Sequence, residues 1–192
     1  MKHPMGSRLF GPAMLLIAVG LLLLGGVIQA GNGKGKGNGK DDAGDDQDGP
    51  SFRVSLSGGA ESPAILTTGE GVLNLKVDGS TIAYDLEYNT LKNNAPAVAA
   101  HIHVGQRGAS GAVAAFLCGG GGKPACPVPG TKLSGTIAAS DILAIPAQGL
   151  AAGDMTAFLA AMRRGLLYAN LHSALFPGGE IRGQITHGRS ND

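Results

Sequence analysis

Two histidines separated by a single residue are the clearest chemical signal in this chain. His101 and His103 lie in the segment AAHIHVG. On a β-strand, residues i and i+2 point to the same face, so the two imidazoles share one face while Ala100, Ile102 and Val104 point to the other. Imidazole is the commonest metal-ligating side chain and titrates near neutral pH. The pattern therefore predicts a strand with one apolar face and one face able to bind a metal ion.

A second group of candidate ligands lies near the C-terminus, in LLYANLHSALFPGGEIRGQI. The alternation of this segment predicts a hairpin in which His172 and Glu180 are cross-strand neighbours on the outer face. Three imidazoles and a carboxylate suit Zn²⁺ or Cu²⁺ better than Ca²⁺ or Mg²⁺. The predicted copper or zinc ligands are His101, His103, His172 and Glu180. Two other interpretations stay open: these side chains are exposed polar residues, or they form a surface network in which Glu180 pairs with Arg182 or a histidine.

Motifs for catalysis are missing from the sequence. There is no G-x-S-x-G nucleophile elbow, and no glycine-rich phosphate loop opens a helix. Gly119 to Gly122 lie between the two cysteines and are predicted to form a loop. The carboxylates Asp85, Glu87 and Glu180 are scattered rather than paired for acid–base chemistry. The sequence favours a protein that is not an enzyme, although the question stays open.

The elements that must position these side chains are mostly strands. The chain has 33 glycines and no tryptophan, which is typical of a loop-rich β protein. Apolar and polar residues alternate in short runs bounded by turn residues, and Asp78-Gly79 is a hairpin signal. One helix is expected over 154–164, with Gly165 at its end. Strands are expected at 52–56, 71–77, 81–88, 99–105, 112–117, 133–137, 166–172 and 180–186. We expect an all-β, antiparallel Greek-key sandwich or barrel, immunoglobulin-like or superoxide dismutase-like, with one short helix.

The two cysteines, Cys118 and Cys126, enclose the loop CGGGGKPAC. In an exported chain an even cysteine count favours a disulfide. The alternative is a cysteine-based metal or redox centre, but the spacing is too long for a C-x-x-C motif.

The first thirty residues have the pattern of a signal peptide. Lys2 and Arg8 precede an apolar run at 13–24, and Ala30 is a small residue at a cleavage position. The alternative is an uncleaved anchor over 9–30, which is long enough to span a bilayer. Both alternatives predict a secreted, periplasmic or otherwise extracytoplasmic domain, which meets a membrane only through an uncleaved N-terminal segment.

Residues 31–50 are predicted to form a disordered linker, rich in Gly, Lys and Asp, before a folded domain at 51–188. The linker is interpreted as a solvated spacer, with a weak calcium- or surface-binding tail as the alternative. The formal net charge is only +1, so no basic field attracts nucleic acid. The expected partner is an unidentified protein or a component of the cell envelope.

The order of segments resembles the CHRD domain family, named for chordin. The resemblance covers about residues 52–184 and is carried by FRVSLSGGAESPAILTTGEG, AAHIHVGQRGASGAV, LSGTIAASDI and LLYANLHSALFPGGEIRGQI. It implies an immunoglobulin-like or barrel-like all-β domain. The glycine-rich cysteine loop departs from the usual pattern, as does Ser173 where the family usually has Thr. The cysteine-rich modules that accompany the domain in chordin are absent, so growth-factor antagonism is not carried over.

A weaker similarity links the hairpin GEGVLNLKV…TIAYDLEY and the following HIHVG to Cu/Zn superoxide dismutases. This similarity implies that His101 and His103 are copper ligands. The zinc-binding loop and the arginine-bearing segment of that family have no counterpart. Three hypotheses result: a binding module with a metal site, a dismutase-like copper enzyme, and a purely structural or adhesive module of the cell envelope.

Overall fold

Eight antiparallel strands form one sheet in the computed structural model, which describes residues 49–187. The strands are β1 (Ser51–Ser57), β2 (Glu70–Asp78), β3 (Thr81–Tyr88), β4 (Ala97–Val104), β5 (Val113–Cys118), β6 (Leu133–Ile137), β7 (Leu167–Ser173) and β8 (Ile181–Ile185). Their order in the sheet is β5-β4-β7-β8-β1-β2-β3-β6. The signal peptide predicted over 1–30, and all but the last two residues of the predicted linker, lie outside the described residues.

The sheet curls into a nearly closed barrel. Its two edge strands, β5 and β6, come near each other without pairing. The phenol of Tyr84 on β3 reaches across this gap and donates a hydrogen bond to the Leu117 carbonyl on β5, at 2.7 Å. Tyr84 is only 3 % exposed, and this bond satisfies the one polar group of the buried ring. The all-β antiparallel fold class is therefore confirmed.

Alternating residues of the strands are buried in the core, as the sequence predicts. In β1, β2 and β3 every second residue is buried, so that Val54, Leu73 and Ile82 face the barrel interior. The hairpin between β2 and β3 turns at Asp78-Gly79, where Gly79 has a φ of +56° that glycine adopts without strain.

Residues 49–187 contain one α-helix, α1 (Met155–Arg163), which begins and ends close to its predicted limits. The Asp154 carboxylate caps it by accepting a hydrogen bond from the Ala157 amide at 2.9 Å. Phe158 and Met162 lie one turn apart and are completely buried in the core. No helix within residues 49–187 combines the length and apolar character needed to cross a membrane.

Candidate metal centre

Pairing of β4 with β7 brings the three predicted histidines together. In the register of these strands, His101 is opposite Asn170 and His103 is opposite Tyr168, while His172 is opposite Ala99. One ring nitrogen from each histidine lies within 4.8 Å of those of the other two. Local β-structure aligns His101 with His103, and the long-range pairing adds His172.

The polar face of this part of the sheet is covered rather than open. His103 is 7 % exposed, Asn170 is 4 % exposed and Arg182 is 2 % exposed. The segment 105–111 folds over them, because the Arg182 guanidinium donates to the Ala109 carbonyl at 2.7 Å and the Gln184 amide donates to the Gly105 carbonyl at 2.9 Å. The histidines therefore lie in a partly desolvated polar layer, in which electrostatic interactions are stronger than in water.

Backbone carbonyls determine which ring nitrogens carry protons. His103 Nδ1 lies 3.0 Å from the Gly111 carbonyl oxygen, and His172 Nδ1 lies 2.9 Å from that of Pro177. A carbonyl oxygen only accepts, so each Nδ1 is the donor and each neutral ring keeps its lone pair on Nε2. Metal-binding histidines are typically oriented by such a hydrogen bond from the second nitrogen.

The third histidine, His101, directs its Nδ1 rather than its Nε2 toward the other two rings. His101 Nδ1 lies 3.0 Å from His172 Nε2. Burial lowers the pKa of His101 to about 4, with smaller contributions from the nearby His172 and His103. Burial also lowers the pKa of His103 and of His172. At neutral pH all three imidazoles are therefore uncharged, which is the form that binds a metal ion.

These lowered pKa values predict a loss of stability in mild acid for the metal-free protein. Between pH 6.5 and 5 these three histidines bind more protons in the unfolded chain than in the folded one, so their contribution to the free energy of unfolding falls as the pH decreases through this range. Urea unfolding at several pH values with a chelator measures the slope. The variant His101→Gln is expected to flatten it, and equal slopes for both proteins would contradict the assignment.

Glu180, the fourth predicted ligand, lies outside this group of three histidines. It is completely buried. Its Oε1 accepts hydrogen bonds from the Thr67 hydroxyl at 2.6 Å and the Lys92 amide at 2.7 Å. The carboxylate therefore links two loops, at 58–69 and 89–96, to the start of β8.

Tyr168 packs between the ring of His103 and the guanidinium of Arg182. The sequence patterns did not predict this stack. The Tyr168 ring stacks on the His103 ring, with centroids 4.7 Å apart and planes within 4°. The Arg182 guanidinium carbon lies 3.3 Å from the Tyr168 ring centroid, on which it makes a cation–π contact. The signal was available, because Tyr168 and Asn170 alternate on the same strand face as His172.

The cysteine loop packs against Phe116, which lies next to His101. Cys118 and Cys126 form a disulfide, as predicted. An added Cβ at Gly120 or Gly121 would lie within 2.6 Å of the Phe116 ring, so only glycine allows the loop to pack so closely. The Phe116 ring in turn contacts the His101 ring edge-on, with centroids 4.5 Å apart. The loop thereby confines His101.

Comparison with known families matches the region just described. A family model for the CHRD domain matches residues 52–185, from the start of β1 to the end of β8. This is well over half of the chain and includes all three histidines. No curated protein and no solved structure matches the chain significantly. The chain belongs to the CHRD domain family.

Proposed function

We propose that this protein is an exported, non-enzymatic binding module that holds a copper or zinc ion at His101, His103 and His172. The observation that carries the proposal is the convergence of three ring nitrogens within 4.8 Å. Two of these rings are oriented by backbone carbonyls so that Nε2 is unprotonated. Three imidazoles form a donor set that suits both Zn²⁺ and Cu²⁺.

Family membership and the cysteine pair support the remaining parts of the proposal. The CHRD domain is a binding-module type of domain rather than an enzyme family, and such domains are extracellular. A disulfide is also the expected state of a cysteine pair in an oxidising compartment. The partner would then be a protein or a component of the cell envelope.

Elemental analysis of the protein, purified without a metal-binding tag, tests the metal site. We expect near-stoichiometric copper or zinc after incubation with either metal and desalting. The double variant His101→Ala/His103→Ala is expected to retain none. The matched control is His187→Ala, because His187 is exposed and its ring packs on Phe52 rather than in the cluster.

Three results would change this assignment. Absence of metal from the parent protein after reconstitution would favour a structural or adhesive module. Equal metal content in the parent and the double variant would place the ion elsewhere. Superoxide dismutation by the copper-loaded protein, above the rate of free copper, would favour the dismutase-like enzyme.

A further inference from the structure

Asn170 occupies the space between two of the histidines. Its side chain is 4 % exposed. Its amide oxygen, Oδ1, lies 2.9 Å from Nε2 of His103 and 3.0 Å from Nε2 of His172. These distances are those of hydrogen bonds, so one would expect a proton between each pair of atoms.

The protons needed for those two hydrogen bonds are used elsewhere. His103 and His172 each donate from Nδ1 to a backbone carbonyl, at Gly111 and Pro177. In a neutral imidazole the second nitrogen is then an acceptor, and an amide oxygen is also an acceptor. His101 Nδ1, 3.0 Å from His172 Nε2, can supply a hydrogen to that nitrogen. His103 Nε2 and Asn170 Oδ1 still face each other at 2.9 Å with no hydrogen between them. A cation bound among them would relieve this repulsion.

Reversing the Asn170 amide would supply a hydrogen, but Glu61 opposes this. The Glu61 carboxylate lies beside the Asn170 amide nitrogen and faces the Arg182 charge. Burial raises the Glu61 pKa, and Arg182 and Asn170 act in the opposite direction. A carboxylate accepts only, so it holds the Asn170 NH₂ group on its own side. The backbone of Gly179 packs closely against both, since an added Cβ there would lie 2.5 Å from Glu61 Oε1 and 2.7 Å from Asn170 Nδ2.

We propose that Asn170 Oδ1 is the fourth donor of the metal centre and that Glu61, by accepting from the Asn170 amide, is the positioning residue that turns this oxygen toward the histidines. The inference rests on the proposed metal site. It replaces the carboxylate that the sequence suggested with a neutral amide oxygen, and it makes the donor set three nitrogens and one oxygen. Such a set favours divalent Zn²⁺ or Cu²⁺ over Cu⁺, which prefers sulfur ligands.

Zinc affinity, measured by competition with a chromophoric chelator, tests this arrangement on the disulfide-bonded protein. We expect Asn170→Ala to weaken zinc binding by about 10- to 100-fold. Asn170→Asp, which retains an oxygen donor, is expected to bind at least as tightly as the parent. Glu61→Gln, whose amide no longer enforces one orientation of Asn170, is expected to weaken binding by about 10-fold.

The matched control is Asn74→Ala. Asn74 accepts a hydrogen bond from Arg53 on the outer face of β1 and β2, away from the histidines. The Asn74→Ala variant should bind zinc with the same affinity as the parent protein. The electron paramagnetic resonance spectrum of the Cu²⁺-loaded protein gives a second readout: loss of the Asn170 oxygen in Asn170→Ala should change the copper hyperfine splitting, whereas Asn74→Ala should leave it unchanged.

The outcomes separate this inference from the proposed function. If the parent binds zinc, the His101→Ala/His103→Ala variant does not, and Asn170→Ala binds as tightly as the parent or more tightly, then the metal site stands and the role of Asn170 is overturned. An unchanged affinity in Glu61→Gln would overturn the positioning role alone. If the parent itself binds no zinc or copper, both proposals fail. Circular dichroism of each metal-free variant shows that it is folded.

Discussion

Replacing Arg182 by methionine is expected to lower the free energy of unfolding by about 2–4 kcal/mol, because a buried guanidinium and its charge-assisted hydrogen bonds are lost. Arg182 is 2 % exposed. It donates to the carbonyls of Gln106 and Ala109 and covers the Tyr168 ring, and its charge faces Glu61. Methionine fills much of the volume but supplies neither the donors nor the charge.

Denaturant unfolding of the metal-free protein measures this loss. Arg53→Met is the matched control, because Arg53 is exposed and makes only a surface hydrogen bond to Asn74 among the contacts described. We expect its effect to be below about 0.5 kcal/mol. A loss of stability in Arg182→Met no greater than that of the control would show that the covering segment 105–111 is held by other contacts.

Replacing Glu180 by alanine is expected to destabilise the protein by about 2–4 kcal/mol, because two donors lose their acceptor in a buried setting. These donors are the Thr67 hydroxyl and the Lys92 amide. Glu180→Gln keeps an acceptor oxygen but loses the charge-assisted part of the bonds, so we expect a smaller effect of about 1 kcal/mol.

The same two variants distinguish a structural Glu180 from a ligand. Unfolding in the presence of a chelator gives the stability difference, with Glu87→Ala as the control at an exposed carboxylate on β3. Zinc affinity of the folded Glu180→Gln protein should equal that of the parent. A tenfold or larger loss of affinity would instead place the carboxylate in the metal centre, as the sequence pattern predicted.

Strands and turns of this domain could be predicted from local pattern because their causes are local. Alternation in TIAYDLEY defines a half-buried strand, Asp78-Gly79 defines the hairpin, and Asp154 with Gly165 marks the two ends of the helix. The cysteine pair was likewise predictable, since Cys126 follows Cys118 by only eight positions and the intervening glycines allow a tight loop.

The partners of the Glu180 carboxylate could not be predicted from local patterns. The hairpin register is as predicted, since Leu171 pairs with Ile181 and Asn170 with Arg182, and this would place Glu180 beside His172. Glu180 precedes the first residue of β8, however, and its carboxylate contacts two loops that are distant in sequence, at Thr67 and Lys92. A pattern of alternating residues carries no information about which distant loop will supply a donor.

Local patterns were enough to predict the all-β class, the disulfide and the shared face of His101 and His103, because each depends on residues a few positions apart. The remaining features of the site depend on contacts between distant parts of the chain. The pairing of β4 with β7 added His172 to the cluster, and it placed Asn170 between two imidazoles. Folding of the segments around Glu61 and Gly111 over the outer face buried this polar layer. The contacts between β4 and β7 and around Glu61 join residues about 70 to 110 positions apart, so their geometry is set by the packing of the whole barrel, in which buried polar groups must find partners.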